Sequence, residues 1–252
     1  MFRLELLALH NLPEVLPGND LAQIIVDACQ EEGVTLQTGD IVVIAQKIVS
    51  KAEGRFVDLN TVVPGEETLK LARYSQKDPR LVELILRESK AVLRVRPGLI
   101  VAETKHGLVS ANAGIDTSNT GGAPNTVLLL PLDPDRSAED IRRRILTSTG
   151  TQVGVIINDS QGRPFRNGAI GVAIGSAGTV TSKIYIGQED RDQHTLQSSV
   201  EAVADEIASA ASLLMGQAAE GRPVVIVRGL SSLTGEGKAT ELVRDPSIDM
   251  FR

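Results

Sequence analysis

An α/β chain with mixed sheets (α+β in character) is predicted by three features of the 252-residue sequence. Short apolar runs at 41–45 (IVVIA) and 153–157 (VGVII) have strand length and no polar alternation, the pattern of strands buried on both faces. Segments of helical period alternate with them, as in 20–32 (Leu21, Ile24, Ile25, Ala28) and 78–90 (Leu81, Leu84, Ile85, Leu86). Aromatic residues make up 2% of the chain and Trp is absent, so the core must be built from Val, Ile, Leu and Ala.

The remaining elements follow in order. Residues 2–9 alternate loosely and read as a first strand, and 10–18, with two prolines and a glycine, as a loop. Asn19 or Asp20 can cap the helix ending near Glu32. Two helices are expected at 66–76 and 78–90, then a hairpin of 92–95 and 99–103 about Arg96-Pro97-Gly98. Residues 126–132 read as a strand and 133–149 as a helix, with Ser137 and Asp140 forming a capping-box pattern. Strands are expected at 180–186 and 223–227, and the longest helix at 195–219. Glycines 168, 171, 175 and 178 lack the dinucleotide-binding spacing and point to closely packed backbone. The stretch 235–238 is no Walker A loop, because Ser232 and Ala239 stand where Gly and Ser or Thr are required. One domain covers 1–252, its compact part about 2–230 and its tail 231–252.

Composition excludes several function classes. A net charge of −6 and few aromatics argue against nucleic-acid binding. The lone Cys29, in an apolar helical pattern, rules out intrachain disulfides and thiolate metal clusters and reads as a small buried hydrophobe. Glu5 interrupts the short N-terminal apolar run, so no signal peptide is expected, and no run is long enough to span a membrane. A soluble, cytoplasmic protein is the expectation.

Two stretches carry the chemistry. In 111–119 (ANAGIDTSN) small residues would let backbone amides approach a ligand, Asp116 offers a hard oxygen ligand and Asn119 a donor and acceptor. In 153–166 a buried strand ends in Asp159 and Ser160, with Arg163 and Arg166 beyond. Two acids on loops with cations nearby suit a metal–phosphate site, to which Lys47 and Lys51, four apart after the strand 41–45, could contribute. The alternatives are that both aspartates cap loops and that the lysines belong to a solvated charge run.

The segments 46–55 (QKIVSKAEGR), 112–119 (NAGIDTSN), 130–135 (LPLDPD), 159–166 (DSQGRPFR) and 203–208 (VADEIA) resemble, in order and across nearly the whole chain, signature segments of the coenzyme F420-0:L-glutamate ligases, or gamma-glutamyl ligases. The resemblance implies an unusual α/β fold without a Rossmann or P-loop core, an intertwined homodimer, and an enzyme that joins L-glutamate to coenzyme F420-0 at the expense of GTP. It implies Mg²⁺ or Mn²⁺ as cofactor, with two divalent ions, and K⁺ as a further ion. Asp116 and Asp159 match metal-binding positions, with Gln217 as a further metal contact. Nucleotide contacts are implied for Asn11, Leu12, Pro13 and Glu14, for Gln46, Lys47 and Lys51, and for Asn119 and Ser160. They are implied also for Met215, Gly216, Gln217, Ala218, Ala219, Glu220, Gly221 and Arg222. Lys51 would neutralise the triphosphate, and Arg163 and Arg166 are candidates to hold the acceptor's acidic groups or the transferred phosphoryl. Two rivals stand beside this reading: a ligase of the same chemistry with another acceptor, for which the 188–194 loop is the distinguishing feature, and a nucleotide-binding protein without turnover.

Overall fold

The computed structural model describes residues 3–121 and 124–250. The expected strand start at Phe2 lies outside them. In chain order the elements are β1 (Glu5–Leu9), α1 (Leu21–Glu31), β2 (Ile41–Ala45), α2 (Gln46–Ala52), β3 (Phe56–Asp58), α3 (Glu66–Ser75), α4 (Pro79–Arg87), β4 (Ser89–Arg96) and β5 (Leu99–Thr104). They continue with β6 (Val109–Ala111), β7 (Thr126–Leu128), α5 (Pro134–Thr149), β8 (Gly154–Arg163), β9 (Arg166–Ala177), β10 (Lys183–Ile184), β11 (Val200–Glu201), α6 (Val203–Met215) and β12 (Val224–Arg228).

The central sheet runs β1-β12-β2-β8-β9. Only β2 and β8 are parallel; the other neighbours are antiparallel. This is a mixed sheet, not a doubly wound Rossmann core. Strand periodicity sends Val42, Ile44, Val155, Ile157, Val224 and Ile226 to the face covered by α1 and α5. It sends Ile41, Val43, Ile156, Val225 and Val227 to the face covered by α6. Both faces are therefore buried, which is why these strands read as unbroken apolar runs. Gly171 and Gly175 let helical backbone sit directly on β9: a Cβ would fall 2.4 Å from the Ala208 carbonyl oxygen at the first and 2.4 Å from the Pro134 carbonyl oxygen at the second. A separate core, built from residues such as Val82, Ile85, Ile100, Ala102 and Val127, underlies α3, α4 and the small sheets β3-β7 and β4-β5-β6.

Several expectations need correction. The strand expected at 126–132 is only Thr126–Leu128; Leu129 and Leu130 are buried but leave the ladder. The strand expected at 180–186 shrinks to Lys183–Ile184, which pairs with Val200–Glu201 in a ribbon. That ribbon occupies the start of the helix expected at 195–219, so α6 begins only at Val203 and stops at Met215, where Gly216 takes φ 76°. The longest helix among the described residues is α5. Its cap is Asp133, whose side chain accepts from the Arg136 amide, because Pro134 at the first helical position fixes the start there. Ser137 lies inside the helix and donates to Glu53. Packing continues past residue 230: Leu233 and Ala239 are buried, and buried Asp135 accepts from the amides of Ser176, Ala239 and Thr240.

Cys29 is buried, and burial pushes its thiol up to about 11, in keeping with an inert packing residue. Among the described residues no helix is long and apolar enough to cross a membrane.

Candidate functional site

The site forms where the two parallel strands end together. Ala45 pairs with Asn158, so Gln46 and Lys47, just past the end of one strand, and Asp159 and Ser160 on the other emerge at the same end of the sheet. Ligands of open α/β sheets bind outside such carboxyl ends. The chain after Ala45 turns straight into α2, placing Gln46, Lys47 and Lys51 along one side. Asp159 does not stand on a loop, as expected, but within β8, which outruns β2 because β9 pairs with it as far as Arg163.

Asp116 arrives from the other core. The turn Asn112–Gly114 has three consecutive left-handed residues (φ 51°, 56° and 70°), after which Asp116 exchanges both backbone hydrogen bonds with Leu128 at 2.9 Å. The small residue at 114 answers to packing: a Cβ there would lie 2.7 Å from Leu130 Cδ1. Expectation had assigned this smallness to close approach of a ligand.

The carboxylate of Asp116 is gripped at both oxygens. Gln46 Nε2 donates to Oδ2 at 2.6 Å, and Lys47 Nζ lies 3.3 Å from Oδ1 while donating to the Ser118 carbonyl at 3.1 Å. Lys51, buried, pairs with Glu14. The opposite wall is the loop after α6. Gln217 Nε2 donates to Ser160 Oγ at 2.9 Å, Asn119 Nδ2 donates to the Ala218 carbonyl at 3.0 Å, and Glu220 accepts from the Ala218 amide at 2.8 Å. The half-open cleft, about 560 Å³, is of the size that takes a small-molecule ligand.

Its electrostatics are unbalanced. Burial, with the neighbouring Asp116 charge as second cause, pushes the Asp159 carboxyl up to about 7; a hydrogen bond from Gln161 and the charge of Lys47 only partly offset this. Two carboxylates that repel each other in a half-enclosed site fit a divalent cation, and their hard oxygens suit Mg²⁺ or Mn²⁺. Among the described residues no three His, Cys, Asp or Glu side chains converge into a metal cluster. A cation here would therefore complete its shell with water and ligand oxygens, as Mg²⁺ does at phosphate sites. Since Gln217 spends its amide nitrogen on Ser160, only its amide oxygen remains to join such a shell.

The cleft thus brings together Gln46, Lys47, Lys51, Asp116, Asn119, Asp159, Ser160 and the run Met215, Gly216, Gln217, Ala218, Ala219, Glu220, Gly221 and Arg222. It does not include Arg163 or Arg166. These face each other across the β8–β9 hairpin end, and Arg163 lies four strand residues, roughly 13 Å, beyond Asp159. Nor does it include Asn11, Leu12 or Pro13, which line a separate hollow against Ile24 and Glu31 on α1. Glu14 reaches the site only through Lys51.

Sequence reading missed four contributors. Asn158 and Ser212 line the floor and are hydrogen-bonded to each other at 3.0 Å, Ser118 holds Lys47, and fully buried Ser50 donates to Gln46 Oε1 at 3.0 Å. A polar Asn158 closing an apolar run was a usable signal; Ser212, one small residue in an Ala-rich helix, gave none.

Fold and cleft together define an α/β protein that presents carboxylates and ammonium groups in one cleft at the carboxyl ends of its two parallel strands. Sequence comparison gives the family. A model described as F420-0:Gamma-glutamyl ligase matches residues 10–229. The chain is 47% identical over 251 residues to the Coenzyme F420:L-glutamate ligase of Methanothermobacter thermautotrophicus, covering 99% of each chain. It is 45% identical over 243 residues to the protein of the same name from Methanopyrus kandleri, covering 95% of this chain and 94% of the other. To that of Haloarcula marismortui it is 40% identical over 255 aligned positions, covering 99% and 96%. The chain belongs to the F420-0:gamma-glutamyl ligase family.

Proposed function

We propose that this protein is a GTP- and divalent-metal-dependent ligase that joins L-glutamate to coenzyme F420-0 through a gamma-glutamyl amide bond, acting in the cytoplasm as a homodimer. The relatives' names support the acceptor and the amino acid. The observation that carries the chemistry is the meeting of Asp116 and Asp159 with Lys47 and Lys51 at the β2/β8 edge.

Amide formation from a carboxylate needs activation, and a triphosphate supplies it. A carboxylate oxygen of the acceptor attacks the γ-phosphorus, the bond to GDP breaks, and an acyl phosphate results. The glutamate amine then attacks the acyl carbon, phosphate leaves, and one proton is released. Asp116 and Asp159 would hold Mg²⁺ or Mn²⁺, which when bound neutralises phosphate charge and orients the triphosphate. Lys47 and Lys51 place positive charge beside the same phosphates, and the backbone around Gly216 and Ala218 forms the wall against which the nucleotide lies. Arg163 and Arg166, cross-strand neighbours of like charge with no ion pair among the described residues, would dock anionic groups of the acceptor remote from the reacting carboxylate. Exposed Ile184, Val200 and Leu213 would be covered in the homodimer.

GDP release measured with each component omitted in turn tests this. Sustained release that requires acceptor, glutamate and metal together supports the ligase; release indifferent to acceptor and glutamate would leave only a GTPase.

A further inference from the structure

We infer that Gln46 and Ser50 form a relay that positions Asp116 for cation binding. The inference rests on the reading of Asp116 as a metal ligand.

The geometry is specific. A helical serine ordinarily returns its hydroxyl to the backbone carbonyl four residues earlier. Ser50, fully buried on α2, instead donates to the side-chain oxygen of the residue four back, Gln46 Oε1, at 3.0 Å. With that end of the amide held as acceptor, the other end must present N–H, and Nε2 donates to Asp116 Oδ2 at 2.6 Å. The reverse orientation would set an amide oxygen against a carboxylate and leave the Ser50 hydroxyl facing an NH₂ group. Gln46 is 5% exposed, so its amide has both ends committed within the protein and little surface to offer a ligand.

Among the described residues the Asp116 side chain receives no hydrogen bond from its own segment, which enters from the second core through the left-handed turn at Asn112–Gly114. The relay reaches across from the first core, 70 residues away in sequence, and sets the plane of the carboxylate. With Gln46 donating to Oδ2 and the Lys47 ammonium 3.3 Å from Oδ1, the carboxylate is oriented before a cation arrives. Ser50 is buried out of a nucleotide's reach, so any effect of its hydroxyl on the metal must pass through Gln46.

Mn²⁺ titration of the full-length protein, read by electron paramagnetic resonance without nucleotide, tests the relay, alongside GTP binding measured without metal. Ser50→Ala and Gln46→Leu should each weaken Mn²⁺ binding about 10–100-fold, with metal-free GTP affinity unchanged in Ser50→Ala. Ser50→Cys, close in volume but a poorer donor, should fall between wild type and Ser50→Ala. Melting curves establish folding, and Ser50→Ala alone decides the matter if Gln46→Leu does not fold. Wild-type Mn²⁺ affinity in Ser50→Ala, with affinity lost in Asp116→Asn, overturns the relay and spares the metal site. Lost metal-free GTP affinity in Gln46→Leu, with Mn²⁺ binding intact, overturns it in favour of a nucleotide contact. Unchanged Mn²⁺ binding in Asp116→Asn overturns the metal site itself, and the relay with it.

Discussion

The two ends of β2 handle their carboxylates in opposite ways. At its start Asp40, 2% exposed, receives Arg228 at both oxygens (2.9 and 2.8 Å) and the Gln37 amide at 2.8 Å. At its finish Asp116 and Asp159 share a cleft with Lys47, and burial with mutual repulsion still leaves Asp159 pushed up to about 7. The first acid is fully matched within the chain and holds β12 and the α1–β2 connection in place. The second pair is left short of positive charge. A protein that satisfies one buried carboxylate so completely leaves this pair uncompensated, a shortfall that the proposed metal and nucleotide would make good.

The contrast can be broken at either end. The largest effect is expected from Asp116→Ala or Asp159→Ala, each lowering turnover by about 1,000-fold or more with the melting temperature nearly retained, as read by coupled GDP assay and calorimetry. Asp40→Ala should do the reverse. It strands a largely buried Arg228 and costs roughly 3–5 kcal/mol in urea unfolding, while Mn²⁺ affinity stays at the wild-type value.

A smaller effect sharpens the contrast through pH. In the metal-free protein the Asp159 carboxyl titrates near 7 when folded and near 3.8 when unfolded. Between those values the folded state keeps a proton the unfolded state has released, so stability falls as pH rises from about 4 to about 7. Asp159→Asn should therefore stabilise the metal-free protein at pH 8 by on the order of 2 kcal/mol, a gain that disappears at pH 4. Cation binding must expel the same proton, so Mn²⁺ affinity of the wild type should fall about tenfold per unit below pH 7. The smallest expected effect lies outside the cleft: Arg166→Ala should raise the KM for the acceptor about tenfold, with the KM for GTP unchanged in steady-state kinetics.

The central sheet was legible because β2, β8 and β12 are buried on both faces and so appear as unbroken apolar runs. The site was legible where strand ends carry chemistry: Asp159 follows β8's apolar run, and Lys47 and Lys51 follow β2 at helical spacing. Tertiary pairing hid the rest. Val200 continues the apolar period of α6, yet pairs with Ile184 in a ribbon that no local pattern announces. Ser137 offers a cap signature that Pro134 pre-empts by starting the helix behind Asp133. Arg163 and Arg166 sit near Asp159 in sequence but are carried away from it by a strand that rises about 3.3 Å per residue. The bond between Gln46 and Asp116 joins two separately packed cores, which composition and period cannot reveal.

Mass spectrometry of coenzyme F420-0 after incubation with the purified protein, GTP, Mn²⁺ and L-glutamate tests the central claim most directly. The expected product is acceptor bearing added glutamyl residues, absent with Asp116→Ala and with Asp159→Ala. Unmodified acceptor beside a folded wild-type protein that binds GTP and Mn²⁺, or glutamyl product persisting when both aspartates are replaced, would contradict it.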